Sequence, residues 1–241
     1  MDQTQEQQHF KELFERAKKL RSRYLQTLAT FRIYDRFKRL SAPNIVGKRK
    51  AEANAKIFAD YVYFFSPTQE AARCYFFIEI AKFFDKHKRR QSLTVDYVLD
   101  YALENMRSFS KAEFEKYHSD RNIISEILQG YKPFVKNDVQ KLKRRIKKHA
   151  DVIKNLNTYR NKFLAHDDLE KVEVKITIAQ IRILLNIIKD TIDLLYYKLE
   201  FASNSYLNFD KEPVRAVDRV VRNLQEYEEG RLKEIKKRYG L

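Results

Sequence analysis

Tyr159-Arg160-Asn161-Lys162-Phe163-Leu164-Ala165-His166-Asp167-Asp168 closes a helical pattern that begins near Lys136. Read backwards from Arg160 in steps of seven, the sequence gives Ile153, Ile146 and Val139, an apolar column that returns to nearly the same helix face every two turns. Arg160 occupies the next place in that column. A guanidinium there loses hydration, so either it meets an anion or a partner surface, or the helix has already left the core. Arg160 and His166 are six positions apart, which is about 9 Å along an unbroken helix and roughly 120° around it. They do not share a face, yet both side chains are long enough to converge on one phosphate near a helix end.

Working outward, 4 Gly and 4 Pro in 241 residues leave little turn chemistry for hairpins, whereas helix starts recur. The chain reads as all-α. A long first helix spans about Gln7 to Leu40 and a second about Lys48 to Phe65. Ser66-Pro67-Thr68-Gln69 reads as N-cap, first-turn proline and capping-box glutamine of a third helix reaching about Lys88. Ser92 opens the next, to about Arg107. Ser110-Lys111-Ala112-Glu113 is a capping box for another, which Gly130 stops.

The motif helix then runs from about Lys136 to Ala165. Lys171 to Ile176 alternates with period two, as an extended connector or a very short strand does. Thr177-Ile178-Ala179-Gln180 caps a helix whose Ile181, Leu184, Leu185, Ile188, Ile192 and Leu195 form a broad apolar face, predicted to pack on the motif helix. The polar residues 203–213 read as a linker. Beyond them Val214, Val217, Val221, Leu224 and Tyr227 keep helical spacing up to a basic end. The expected division is a helical bundle over 1–202 and a linker plus basic C-terminal helix over 203–241.

A hydrophobic content of 44% is enough for a real core, and the net charge of +16 points to a polyanionic partner. Nucleic acid is the most economical choice, since Lys and Arg gain affinity by displacing condensed counterions; an anionic membrane surface is the rival. Cys74, the single cysteine, reads as a small buried hydrophobe and can form no disulfide within the chain. The N-terminus lacks the apolar stretch of a signal peptide, and Asn186, Lys189, Asp190 and Asp193 interrupt the most apolar run, so the expected location is the cytoplasm, away from the membrane. Neither a glycine-rich phosphate loop nor metal-ligand spacing of His and Cys occurs, so no metal and no cofactor are expected.

An Arg, a polar residue directly after it and a His a few positions on resembles the Arg-x(4–6)-His signature of the HEPN superfamily, all-helical proteins that include many metal-independent endoribonucleases. Arg160 to Asp168 is most similar to the abortive-infection branch. A looser similarity lies in Phe76-Phe77-Ile78-Glu79-Ile80-Ala81-Lys82-Phe83-Phe84-Asp85 and the following Gln91-Ser92-Leu93. The resemblance implies a homodimeric HEPN-like bundle with a composite site at the dimer interface. It further implies a toxin or phage-defence effector, restrained by an antitoxin or another regulatory partner. Members paired with nucleotidyltransferase antitoxins often carry a tyrosine two residues after the histidine; here that place is Asp168, so regulation through such a tyrosine is not expected.

Cutting RNA without a metal requires deprotonating a 2′-hydroxyl, stabilising negative charge on the phosphorane and protonating the departing 5′-oxygen. His166 has the chemistry of a general base or acid near neutral pH. Arg160 stays charged and can bridge two phosphoryl oxygens, and Asn161 can orient the phosphate or the imidazole. One histidine cannot easily serve as both base and acid, which a symmetric dimer with two motifs in one cleft would solve. Lys162 shares a helix face with His166 and is a candidate for backbone phosphate. Lys143, Arg144, Lys147 and Lys148 are expected to track the RNA backbone, and Asp85 to support the cleft or to meet a nearby cation. The alternative function is a non-catalytic RNA- or nucleotide-binding helical module. The plainer reading of Arg160 and His166 is a salt-bridged helix end.

Overall fold

Gln180 and Thr177 cap each other: the Thr177 hydroxyl accepts from the Gln180 N–H at 3.2 Å and the Gln180 carboxamide accepts from the Thr177 N–H at 2.9 Å. That box starts the helix Ile178–Glu200, whose Ile181, Leu184, Leu185, Ile188, Ile192 and Leu195 are all buried. A computed structural model describes residues 4–86, 93–161 and 176–240, and these form helices joined by short connections, with no strand among the described residues. In chain order the helices are α1 (Gln5–Leu40), α2 (Pro43–Val46), α3 (Lys48–Asp60), α4 (Val62–Phe83), α5 (Val95–Glu104), α6 (Lys111–Tyr117), α7 (Ile124–Gly130), α8 (Lys136–Lys148), α9 (Ala150–Tyr159), α10 (Ile178–Glu200) and α11 (Leu207–Tyr239). A 3₁₀ turn, Met106–Phe109, joins α5 to α6.

The chain divides into two compact units, residues 1–25 with 77–205 and residues 26–76 with 206–241, so α1 and α4 each contribute to both. In the first unit α10 packs against α8 and α5. Its core joins Phe10, Leu13 and Leu20 of α1 to Ile80 and Phe83 of α4, Leu99 of α5 and Leu156 of α9. In the second unit Val217 and Val221 of α11 bury against Phe37, Leu40, Ile57 and Phe65. The C-terminal helix is thereby anchored at its apolar spacing, while every described residue from Arg231 onward is exposed.

Two buried polar contacts tie the first unit together. Lys198, on α10, places its ammonium 2.9 Å from the Asp138 carboxylate and 2.9 Å from the Pro133 carbonyl, which fixes the start of α8. The Arg23 guanidinium meets the Glu79 carboxylate at 2.6 Å and donates to the Leu93 carbonyl at 3.0 Å, joining α1, α4 and the entry to α5. Such pairs cost desolvation, so their main effect is to make misplacement of these helices expensive.

Several helix limits differ from the sequence reading. Ser66 is not an N-cap: α4 starts at Val62 and passes through Pro67. The N–H that proline lacks would have served the carbonyl of Tyr63, a residue 95% exposed and open to water. Thr94 caps α5, accepting from the Tyr97 N–H at 3.2 Å; Ser92 lies outside the described residues, as do Lys171 to Lys175. Ser110 does accept from the Glu113 N–H, but its helix ends at Tyr117 because His118 turns into the core. The stretch read as a linker is helical from Leu207, with Pro213 in the second turn. Cys74 is half-buried, and burial together with the Glu70 carboxylate pushes its thiol up.

The motif helix is also broken. His149 separates α8 from α9, with Arg145, Lys147 and Lys148 in the last turn of one and Asp151 in the first turn of the next. Those charges suit a helix end followed by a helix start, which a search for apolar periodicity does not register.

His118 is 3% exposed, donates through Nε2 to the Leu199 carbonyl at 2.7 Å and is surrounded by Phe10, Phe114 and Tyr117. Burial holds its pKa below the ordinary 6.5, the Leu199 carbonyl and Glu200 pulling the other way and Arg121 adding to the depression. A folded state that disfavours the imidazolium keeps its full stability above the unfolded value of about 6.5 and loses it as pH falls towards the folded pKa. Urea denaturation between pH 7 and pH 5 is therefore expected to show falling stability, with a shallower fall in His118→Gln; equal slopes would assign the acid sensitivity to other groups.

Candidate functional site

The end of α4 and the end of α9 meet at one mouth of the first unit. Leu156 is fully buried and seats α9, and the Tyr159 ring packs on Phe77 of α4 with centroids 5.0 Å apart. These contacts bring Arg160 to Asp85, just past the end of α4. Arg160 Nη1 donates to both carboxylate oxygens of Asp85, at 2.8 and 2.7 Å, and Arg160 Nε donates to the Asn161 Oδ1 at 3.0 Å. The helix loosens into a π turn at Arg160 and Asn161, which re-aims the side chains relative to a regular helix. The Arg160 side chain is 19% exposed, so its charge is largely withdrawn from water and Asp85 supplies the anion it needs.

Beside this pair opens a cleft of about 740 Å3. Its less exposed wall is Phe84, Ile146, Ile153 and Asn157, and its exposed edge carries Lys86, Lys147, Asp151, Lys154 and Asn161. The seven-residue column thus has two fates. Val139 is fully buried in the core, whereas Ile146 and Ile153 are half-buried and line the cleft, as do Asp85 and Asn161, the partners of Arg160. Asn157 Oδ1 is buried and has no hydrogen-bond partner among the described residues.

Of the residues singled out in the sequence, the structure brings Arg160, Asn161 and Asp85 together. His166 and Lys162 lie outside the described residues. Arg144, Lys147 and Lys148 are exposed on α8 and make no ion pair among the described residues. Lys143 differs: it is half-buried, hydrogen-bonded to Asp100 and 3.5 Å from Asp96. Burial works against its charged form, but the Asp100 and Asp96 carboxylates outweigh that and raise its pKa. Its ammonium joins α8 to α5 instead of pointing to solvent. Asn157, Ala150 and Thr158 went unnoticed in the sequence, although a small residue and an amide at steps of four and eleven from Ile146 do interrupt the apolar stripe.

The HEPN_AbiU2 family model, described as AbiU2, matches residues 9–220. The chain belongs to this family of abortive-infection HEPN domains. No curated protein and no solved structure matches the chain. Among the described residues no helix of this family member is long and apolar enough to cross a membrane, and no cluster of His, Cys, Asp and Glu is arranged to hold a metal ion.

The Arg160–Asp85 pair, still in partial contact with water through Asp85, is expected to be worth about 1 kcal/mol. A double-mutant cycle with Arg160→Ala and Asp85→Ala in denaturant should return that coupling. Additive single-mutant effects would mean that Asp85 does not hold the arginine in solution.

Proposed function

We propose that this chain is a metal-independent endoribonuclease, acting as a toxin or phage-defence effector, with Arg160, His166 and Asn161 in the catalytic roles. The observation that carries the reading is Arg160 itself: a largely desolvated guanidinium held by Asp85 and Asn161, two residues that line a cleft, in an abortive-infection HEPN domain. In this reading the scissile phosphate displaces one Asp85 oxygen from Arg160 and takes up its hydrogen bonds, which strengthen as the phosphorane gains charge. His166 removes the 2′-hydroxyl proton. The oxygen so freed attacks phosphorus, the bond to the 5′-oxygen breaks, and a second His166 from a homodimer partner protonates the leaving oxygen, giving a 2′,3′-cyclic phosphate.

Asp85 is a positioning residue here: it holds Arg160 extended until substrate arrives. Lys162 contacts backbone phosphate, and Arg144, Lys147 and Lys148 form the electrostatic track that brings RNA in. Lys143, committed to Asp100 and Asp96, serves the track by holding α8 in place. An antitoxin or other regulatory partner restrains the activity, and no cofactor takes part.

With excess EDTA, wild type should cut a mixed RNA pool and leave cyclic phosphate ends, while His166→Ala and Arg160→Ala lose about 10²- to 10⁴-fold of the rate. Binding without cleavage by all three would move the assignment to a non-catalytic RNA-binding module. Neutralising Arg144, Lys147 and Lys148 together should lower the salt slope of RNA binding by about 2, counting roughly 0.7 per phosphate contact on a single strand. An unchanged slope would remove α8 from the RNA path.

A further inference from the structure

The cleft beside Arg160 is larger than a phosphate needs. At about 740 Å3 it falls within the roughly 300–1,000 Å3 typical of small-molecule sites. Its chemistry is graded. Phe84, Ile146 and Ile153 supply an apolar wall, Ala150 leaves space between the two isoleucines, and Lys86, Lys147 and Lys154 stand at the edge with Asp151, while Asp85 and Asp96 also line the opening. Asn157 lines the cleft, and its carboxamide oxygen is buried with no partner among the described residues, which is costly unless the side chain turns to a group that donates a hydrogen bond.

We infer that this cleft seats one unpaired nucleobase of the RNA, with Asn157 reading its edge and the lysines at the mouth taking the flanking phosphates. This rests on the RNA reading of Arg160 and adds a subsite that decides which nucleotide is bound beside it. A planar base has two apolar faces to lay against Phe84, Ile146 and Ile153. Every base also carries an N–H group that the Asn157 oxygen can accept from, and a carboxamide can accept and donate side by side, as adenine's edge requires. Charge argues in the same direction. Lys86, Lys143, Lys147 and Lys154 outnumber Asp85, Asp96 and Asp151 around the cleft, and with Arg160 and Asp100 beside them the balance stays at one positive charge, the sign suited to a polyanion.

The test is binding of the four ribonucleoside 5′-monophosphates and of ribose 5-phosphate to the full chain by calorimetry. A nucleotide, adenosine monophosphate first, should bind about 10-fold or more tighter than ribose 5-phosphate, the difference being carried by the base. Ala150→Tyr, which places a ring in the cleft from an exposed position, should abolish that advantage, and Asn157→Ala should bring the four nucleotides to within about 3-fold of one another. Ile153→Gln serves as a second probe of the wall should Ala150→Tyr not fold. Ribose 5-phosphate binding as tightly as the nucleotides would overturn the proposal. So would a change of oligomeric state in Ala150→Tyr with nucleotide binding intact, which would assign the cleft to a second copy. The nuclease reading stands or falls separately: nucleotide binding of this pattern in a chain that never cuts RNA would keep the subsite and remove the catalysis.

Discussion

A guanidinium on the apolar side of a helix has to be given an anion, and at Arg160 that requirement determines where two helices end. Asp85 can reach Arg160 only because α4 stops at Phe83 and the chain turns, and because the Phe77–Tyr159 contact fixes α4 against α9 one residue before the arginine. Were α4 to continue, Asp85 would rotate about 200° beyond Phe83 on the helix and leave the pair. The ion pair and the helix limit therefore imply each other. Breaking the pair leaves a largely desolvated charge, a larger penalty than the pair's own net worth.

The same accounting explains why α8 and α9 are two helices with different duties. Val139 and Leu142 hold α8 under α10, where the Asp138–Lys198 pair fixes the register at one end and the Lys143 bonds to α5 fix it further along. Leu156 alone carries α9 into the core. Between these anchors the column residues Ile146 and Ile153 are released from packing, and the half-buried wall they form is the cleft. A single unbroken helix with every column residue buried would have left no opening next to the arginine.

Sequence periodicity made the fold legible wherever a cap and an apolar face agree, as at Thr177–Gln180 with the buried stripe of α10 and at Ser110 before Phe114. It misled where one signal stood alone. Ser66-Pro67 has the chemistry of a helix start, yet the preceding turn can form because the carbonyl that proline leaves unserved belongs to an exposed residue. The break at His149 was written in charges, not in hydrophobicity. At the site, Arg160 was conspicuous because it violates a pattern, and Asp85 was visible as a carboxylate at the end of an aromatic helix. Asn157 was not, since an amide on a half-buried face is unremarkable until the space beside it is known to be empty of partners.

Net charge illustrates the same limit from the other side. A value of +16 says that the chain attracts polyanions but not where. On α8 alone the basic residues part into two groups: Lys143 and Arg145 are matched to Asp100 and Asp190, and Lys136, Lys141, Arg144, Lys147 and Lys148 are exposed without such partners among the described residues. The matched charges hold the helix to the unit and add little to the external field. The unmatched ones act on solvent, and of these Lys147 stands at the cleft mouth, seven residues before Lys154, which stands there too. On this helix pair, part of the positive potential that composition spreads over the whole molecule thus lies along the edge of the opening beside the Arg160–Asp85 pair, where Lys147 and Lys154 outnumber Asp151.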